Sequence, residues 1–164
     1  MIEVIVNRPS FEYDIHSLVK SFFPREDVQI HVQDTFTEDT ALRISVEFTD
    51  ETVSICLMEQ GEEKESGVSV INYAERKETK NRLKCQLYQL LCAYTGQTLP
   101  WGTLTGIRPA KIAMGLIEQG MSNVETAEYM RNTYLASKEK VALSVMIANR
   151  ERYVLRNIDY KDGY

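Results

Sequence analysis

The 164-residue sequence predicts an α+β fold: a small antiparallel sheet (β-α-β-β-β) with a covering helix, followed by a helical bundle of about four helices. Two patterns predict it. In the first third of the chain, apolar residues alternate with polar ones in four short segments, whereas from about residue 73 they recur at helical spacing. The hydrophobic fraction of 43% and the charged fraction of 26% are ordinary for a globular domain.

The first half is expected to form a strand, a helix and three further strands. Ile2, Val4 and Val6 alternate with their neighbours and predict the first strand. Apolar residues at helical spacing predict a helix over 11–23, which Pro24 ends. The remaining strands are predicted at 28–33, 42–49 and 53–57. A period of two indicates strands with one buried face, which suits an antiparallel meander covered by the helix.

Residues 59–67, EQGEEKESG, lack an apolar anchor and predict a mobile hairpin tip or linker. Beyond them the apolar spacing predicts helices at 73–95, 109–119, 123–135 and 138–157. We therefore expect an α+β subregion over 1–68 and a helical subregion over 69–164, together forming one compact domain.

The charge is unevenly distributed around a net value of −5. Residues 1–96 carry 10 basic and 17 acidic side chains, and residues 97–164 carry 9 and 7. The acidic balance argues against a nucleic-acid partner. Apolar runs are too short for a membrane span, and the start MIEVIVNRP lacks a secretion pattern, so we expect a cytoplasmic protein with no membrane partner.

Residues that commonly carry chemistry are few. Cys56, Cys85 and Cys92 form no CxxC pair; they are either small buried side chains or, for the two that share a helix face, a metal or redox pair. His16 and His31 are expected to be surface residues or residues with satisfied hydrogen bonds rather than catalysts. No nucleotide-binding, hydrolase or metalloprotease motif is present, so no catalytic residue and no metal site are expected.

The segment PWGTLTGIRPAK, residues 100–111, concentrates rare residue types and contains the only Trp. The residue before a proline avoids helical angles, so Arg108 should be extended and Pro109 should start a helix. Arg108 cannot cap that helix with its own side chain, which would leave free N–H groups near 110–112, beside Arg108 and Lys111. Such a helix start suits a carboxylate or a phosphate.

Two interpretations of this segment remain open. In the first interpretation the segment is a rigid connector, in which Trp101 fills the core, glycines turn the chain and Arg108 pairs with a carboxylate of a nearby helix. Alternatively, it contacts a ligand or a partner domain directly, with Trp101, Thr105, Arg108 and Lys111 as the candidate residues.

The two helices that follow also have the spacing of a helix-turn-helix, LIEQGMSNVETAEYM. Glu125 and Glu128 lie early in the second helix, where base contacts would be made, and would repel phosphates. A stand-alone binding module, such as a helix-turn-helix regulator, is therefore the alternative function.

Residues 99–164 resemble one known family. The stretch GTLTGIRPAK and the closing run EYMRNTYLASKEKVALSVMIANRERYVLRNIDYKDGY are similar to the region before the catalytic core of HemZ-like oxygen-independent coproporphyrinogen III oxidases, which are radical SAM enzymes of haem biosynthesis. The strand-rich first half is compatible but less diagnostic.

The resemblance implies an N-terminal accessory domain, with the catalytic radical SAM domain and the porphyrinogen substrate as partners of the intact protein. That catalytic domain holds a 4Fe–4S cluster through a CxxxCxxC motif and uses S-adenosylmethionine; this chain has no such motif, so no cofactor is expected in it. The turn signal Asp162–Gly163 near the end predicts that the natural chain continues.

Overall fold

The computed structural model describes residues 1–32, 35–37 and 40–157. The chain forms two compact units, Met1–Leu99 and Pro100–Tyr164. The sequence predicted that the α+β subregion ends at residue 68, whereas the boundary between the two units lies at 99–100. That the whole chain forms one compact accessory domain stays a prediction. Gln33, predicted at the end of a strand, and the closing segment 158–164 fall outside the described residues.

The first unit contains five strands and two helices within its described residues. In chain order they are β1 (Ile2–Val6), α1 (Glu12–Phe22), β2 (Val28–Val32), β3 (Leu42–Phe48), β4 (Thr52–Glu59), β5 (Glu62–Val70) and α2 (Arg76–Thr95). The α+β class is thereby confirmed, and the predicted helices 11–23 and 73–95 correspond to α1 and α2.

The sheet is mixed rather than purely antiparallel, with the strand order β2-β1-β3-β4-β5. β1 pairs in parallel with both β2 and β3, whereas β3, β4 and β5 form an antiparallel meander. The expectation of an all-antiparallel sheet was wrong at β1 because α1 carries the chain back across the sheet, and such a crossover makes the flanking strands parallel.

The acidic segment 59–67 was predicted as a mobile tip or linker, and it is instead mostly strand β5. Gln60 and Gly61 both have positive φ, as the central residues of a type I′ hairpin turn do. β5 lies at the edge of the sheet. Charged side chains are tolerated on edge strands because they discourage pairing with another chain, so the charges did not exclude a strand.

One face of the sheet forms the core of this unit. Alternate residues on β1, β3 and β4 are buried there, as predicted: Ile2, Val4, Val6, Leu42, Ile44, Val46, Phe48, Val53, Ile55 and Leu57. Helix α1 packs on β2, and α2 packs on β5, β4 and α1. Helix α2 therefore belongs to the sheet unit, although the sequence assigned it to the helical subregion.

The second unit contains three helices among its described residues, α3 (Pro109–Glu118), α4 (Asn123–Tyr134) and α5 (Lys138–Asn157). All four helices predicted for the helical subregion are present, but only these three form the helical unit, because α2 lies in the sheet unit. Their shared core is apolar and includes Ala113, Ile117, Met130, Tyr134, Val141, Val145 and Ala148. The predicted capping box is confirmed: Glu125 N donates to Ser122 Oγ at 3.1 Å, and Ser122 N donates to Glu125 Oε2 at 2.8 Å.

Candidate functional site

The segment 100–111 opens the second unit and lies along the turn between α4 and α5. Thr103 donates to Tyr134 O through its backbone N, at 2.7 Å, and through Oγ1, at 3.1 Å. Ser137 N donates to Pro100 O at 2.8 Å. Because the last carbonyls of a helix lack partners within it, the two bonds from Thr103 satisfy the carbonyl at the end of α4. The bond from Ser137 attaches the segment to the turn that follows α4. We call residues 100–104 and 134–137 the clamp.

Gly102 makes the clamp possible. Its φ is 58°, in the left-handed region that glycine tolerates best. A Cβ at this position would overlap with Tyr134 O and with the carbonyl group of Leu135. The close approach that the sequence indicated for this glycine is therefore made to the protein's own backbone.

Trp101 is half-buried rather than enclosed in the core of the unit. The ammonium of Lys140, in the first turn of α5, lies 5.4 Å from the centroid of its ring. That is a cation–π distance, so one face of the indole is used to hold α5. The connector interpretation placed Trp101 inside the core, whereas the structure leaves it half-buried and outside the core cluster of the helical unit.

Arg108 takes the predicted extended conformation, with φ −79° and ψ 111°, and Pro109 is the first residue of α3. The side chain of Arg108 makes no capping bond, also as predicted. One of the amides expected to be free is used, however: Lys111 N donates to Arg108 O at 3.1 Å. The helix start thus offers fewer open N–H groups to an anion than the sequence indicated.

The guanidinium of Arg108 is paired within the unit. Its Nη2 lies 2.9 Å from both carboxylate oxygens of Glu151 on α5. The Arg108 side chain is still 67% exposed, so solvent screens the pair. This contact agrees with the connector interpretation, which expected a carboxylate from a nearby helix.

The four candidate residues do not converge on one pocket. Trp101 and Arg108 each contact α5, through Lys140 and Glu151 respectively. Thr105 is half-buried, and Lys111 is exposed with no ion pair to any residue that the structure describes. The sequence could not identify Glu151 or Lys140 as partners because they lie tens of residues away along the chain.

The three cysteines do not fit an iron–sulfur cluster. In the described part of the chain, no group of three His, Cys, Asp or Glu side chains is placed to hold a metal ion. Cys56 lies on β4, and Cys85 and Cys92 lie on α2. Burial raises the pKa of each thiol, which disfavours the thiolate that ligation needs. We therefore derive no cluster chemistry from these residues.

Glu3 is a buried carboxylate that sequence analysis passed over. Thr37 N and Thr40 Oγ1 donate to its Oε2 at 3.0 and 2.6 Å, and Thr37 Oγ1 donates to Oε1 at 2.8 Å. Burial raises the pKa of Glu3, but these hydrogen bonds, with a smaller contribution from nearby His31, outweigh it and lower the pKa overall. Since every contact attaches Thr37 and Thr40 to β1, we assign Glu3 a structural role.

The helix-turn-helix spacing corresponds to α3, a turn containing Gly120 at φ 99°, and α4. The carboxylate of Glu125 is used by the capping box, and Glu128 is exposed one turn further along. Both acids lie at the start of the second helix, where a phosphate backbone would be repelled.

The described residues therefore define a sheet unit with a mixed sheet and a three-helix unit. Residues 100–111, which open the helical unit and which we call the entry segment, contact α5 through Trp101 and Arg108. The chain is 37% identical over 75 residues to the oxygen-independent coproporphyrinogen-III oxidase-like protein HemZ of Bacillus subtilis (strain 168). The match covers 46% of this chain and only 15% of HemZ. It confirms the HemZ-like resemblance predicted from the sequence.

No protein-family model matches the chain, and no solved structure matches it. Within the described residues, none of the helices combines the length and apolar character needed to cross a membrane.

Proposed function

We propose that this chain is the N-terminal accessory domain of an oxygen-independent coproporphyrinogen III oxidase-like enzyme. The observation that carries the proposal is the 37% identity over 75 residues to HemZ. The intact enzyme would oxidatively decarboxylate coproporphyrinogen III to protoporphyrinogen IX in haem biosynthesis. Its cytoplasmic location is supported by three free cysteines, since reduced thiols are usual in that compartment.

The reaction itself would take place outside the described residues. The cluster and S-adenosylmethionine, held by a separate radical SAM domain, would supply the radical chemistry.

The first test is the reading frame beyond codon 164. A CxxxCxxC motif within the next few dozen codons would support the accessory role, since three thiolates of this kind anchor such a cluster. A stop codon directly after Tyr164 would rule it out and leave a stand-alone binding module.

Arg108 and Lys111 are the residues of the entry segment best placed to reach the catalytic domain or a substrate carboxylate. Both are exposed, and Lys111 has no ion pair with a described residue. Trp101 and Thr105 would contribute by holding the segment. We propose that the two cations at the start of α3 orient an acidic group of the catalytic domain or of the porphyrinogen.

Alanine variants of Arg108 and Lys111 in the intact enzyme test this role, and Lys77→Ala on the exposed part of α2 serves as a charge-matched control. A substrate contact predicts a raised KM for coproporphyrinogen III. A domain contact predicts a thermal midpoint that falls further in the intact enzyme than in the 164-residue chain, where only the Arg108–Glu151 pair is lost. Unchanged turnover together with unchanged stability would remove both roles.

A further inference from the structure

Helix α5 is apolar on two opposite faces. Val141, Val145 and Ala148 are buried in the core of the helical unit. On the other side Leu143, Met146 and Ile147 remain 37%, 48% and 36% exposed. A surface helix normally presents charged and polar residues to water, so a second apolar face indicates a surface that contacts a partner.

The outer face has an ordered pattern, which we call the outer stripe: Glu139, Leu143, Met146 and Arg150. Their spacings are four, three and four residues. At about 100° per residue these positions fall within roughly 60° of one another around the helix axis. Glu139 and Arg150, at the two ends, are exposed and form no ion pair with the part of the chain that the structure describes.

We propose that the outer stripe is a homodimer contact, in which α5 packs antiparallel against α5 of a second copy of this chain. The spacing reads the same in both directions, and the two charged ends have opposite sign. An antiparallel pairing therefore sets Glu139 of each copy opposite Arg150 of the other, and Leu143 opposite Met146.

This charge pattern is the reason to choose a second copy as the occupant. An unrelated partner would have to supply the complementary order of base, two apolar residues and acid. A second copy of the outer stripe, running in the opposite direction, already presents this order. Two symmetry-related ion pairs would then flank a four-residue apolar centre, as e and g charges flank the seam of a coiled coil.

An apolar groove beside the stripe adds room for the second helix. The groove lies between α4 and α5, measures about 490 Å³ and is lined in part by Val124, Ala127, Ala142 and Met146. Val124 is 68% exposed at its edge. A helix packed on the stripe would cover this groove with its own flanking side chains.

The contact is small, so the dimer should be weak and must be sought at high concentration. Sedimentation equilibrium of the 164-residue chain should be run up to about 300 µM, because interfaces below about 1,000 Å² bind weakly. The variants are Glu139→Arg, Arg150→Glu, the double exchange of both, and Glu51→Arg as a control with the same charge change at an exposed turn of the sheet unit.

We expect the natural chain and the Glu51→Arg control to dimerise. Each single exchange should weaken the dimer about tenfold, because it sets like charges opposite each other at two symmetric places. The double exchange should restore the natural affinity, and circular dichroism should show all variants folded. Met146→Glu should abolish the dimer.

A chain that stays monomeric at the highest concentration overturns the proposal, whatever else binds the stripe. A dimer that neither single exchange weakens overturns it as well, since the contact would then lie elsewhere. Failure of the double exchange to restore affinity would show that Glu139 and Arg150 do not face each other.

Discussion

Arg108 Nη2 donates to both carboxylate oxygens of Glu151, each at 2.9 Å, and links the residue before α3 to a residue 43 positions later on α5. With the clamp, this pair makes the entry segment part of the packing of the helical unit. The segment that the sequence indicated as the best candidate site therefore makes its described contacts with α4 and α5 of the same unit.

The Arg108–Glu151 pair should contribute little to stability, because the Arg108 side chain is 67% exposed. A double-mutant cycle of Arg108→Ala and Glu151→Ala should give a coupling of about 0.5 kcal/mol in urea unfolding, which falls as salt is added. The same cycle with Lys111→Ala in place of Arg108→Ala should give no coupling. A coupling above about 2 kcal/mol would mean that the pair is buried.

Gly102→Ala should be among the most damaging single changes in the chain. The new Cβ would overlap with Tyr134 and Leu135 backbone atoms in a left-handed conformation, at a cost of about 3 kcal/mol. Gly96→Ala is the matched control, since Gly96 has φ 70° and open space around it; it should cost about 1 kcal/mol. Equal losses of unfolding free energy for the two variants would refute the close approach at Gly102.

Ser122→Ala should lower the free energy of unfolding by about 1 kcal/mol, because it removes the side-chain acceptor at the start of α4. Asn132→Ala, at an exposed position of the same helix, should leave it nearly unchanged. Chemical denaturation followed by circular dichroism measures both. Equal effects would show that the capping box is not populated in solution.

Glu3 should make the chain sensitive to acid. Its pKa is lowered in the folded state, so its contribution to stability is present above the unfolded pKa and is lost as pH falls through the folded pKa. As pH falls below about 5, the stability of the natural chain should therefore drop more steeply than that of Glu3→Gln.

Thr40→Val provides a second comparison, because it removes one of the donors to Glu3 and leaves the carboxyl in place. Its stability should fall less steeply with acid than that of the natural chain. If Glu3→Gln runs parallel to the natural chain across the same pH range, the hydrogen bonds from Thr37 and Thr40 do not hold an ionised Glu3.

Local sequence signals predicted much of this fold. The features that were not predicted depend on contacts between residues far apart in the chain. Pro109 at a helix start and the Ser122–Glu125 box depend on neighbours within a few residues, and both are confirmed. Whether β1 pairs in parallel or antiparallel depends on which strands lie beside it in the sheet. The sequence order of strand, helix, strand carried that signal, because a helical crossover favours parallel neighbours.

The site was predicted less completely than the fold. The extended Arg108 follows from the proline after it, whereas its partner Glu151 is set by how α3 and α5 pack. Glu3 stood among apolar residues of a strand, and a single acid there could have signalled a buried carboxylate. Its partners Thr37 and Thr40 had no local signal, since they lie more than 30 residues away.

The central claim is that this chain serves a coproporphyrinogen III oxidase-like enzyme. Its most direct test is anaerobic incubation of the intact, cluster-reconstituted protein with S-adenosylmethionine, an electron donor and coproporphyrinogen III, followed by mass spectrometry. We expect a product that has lost two carboxyl groups as carbon dioxide. Unchanged coproporphyrinogen III, in the presence of an assembled cluster that cleaves S-adenosylmethionine, would contradict the account.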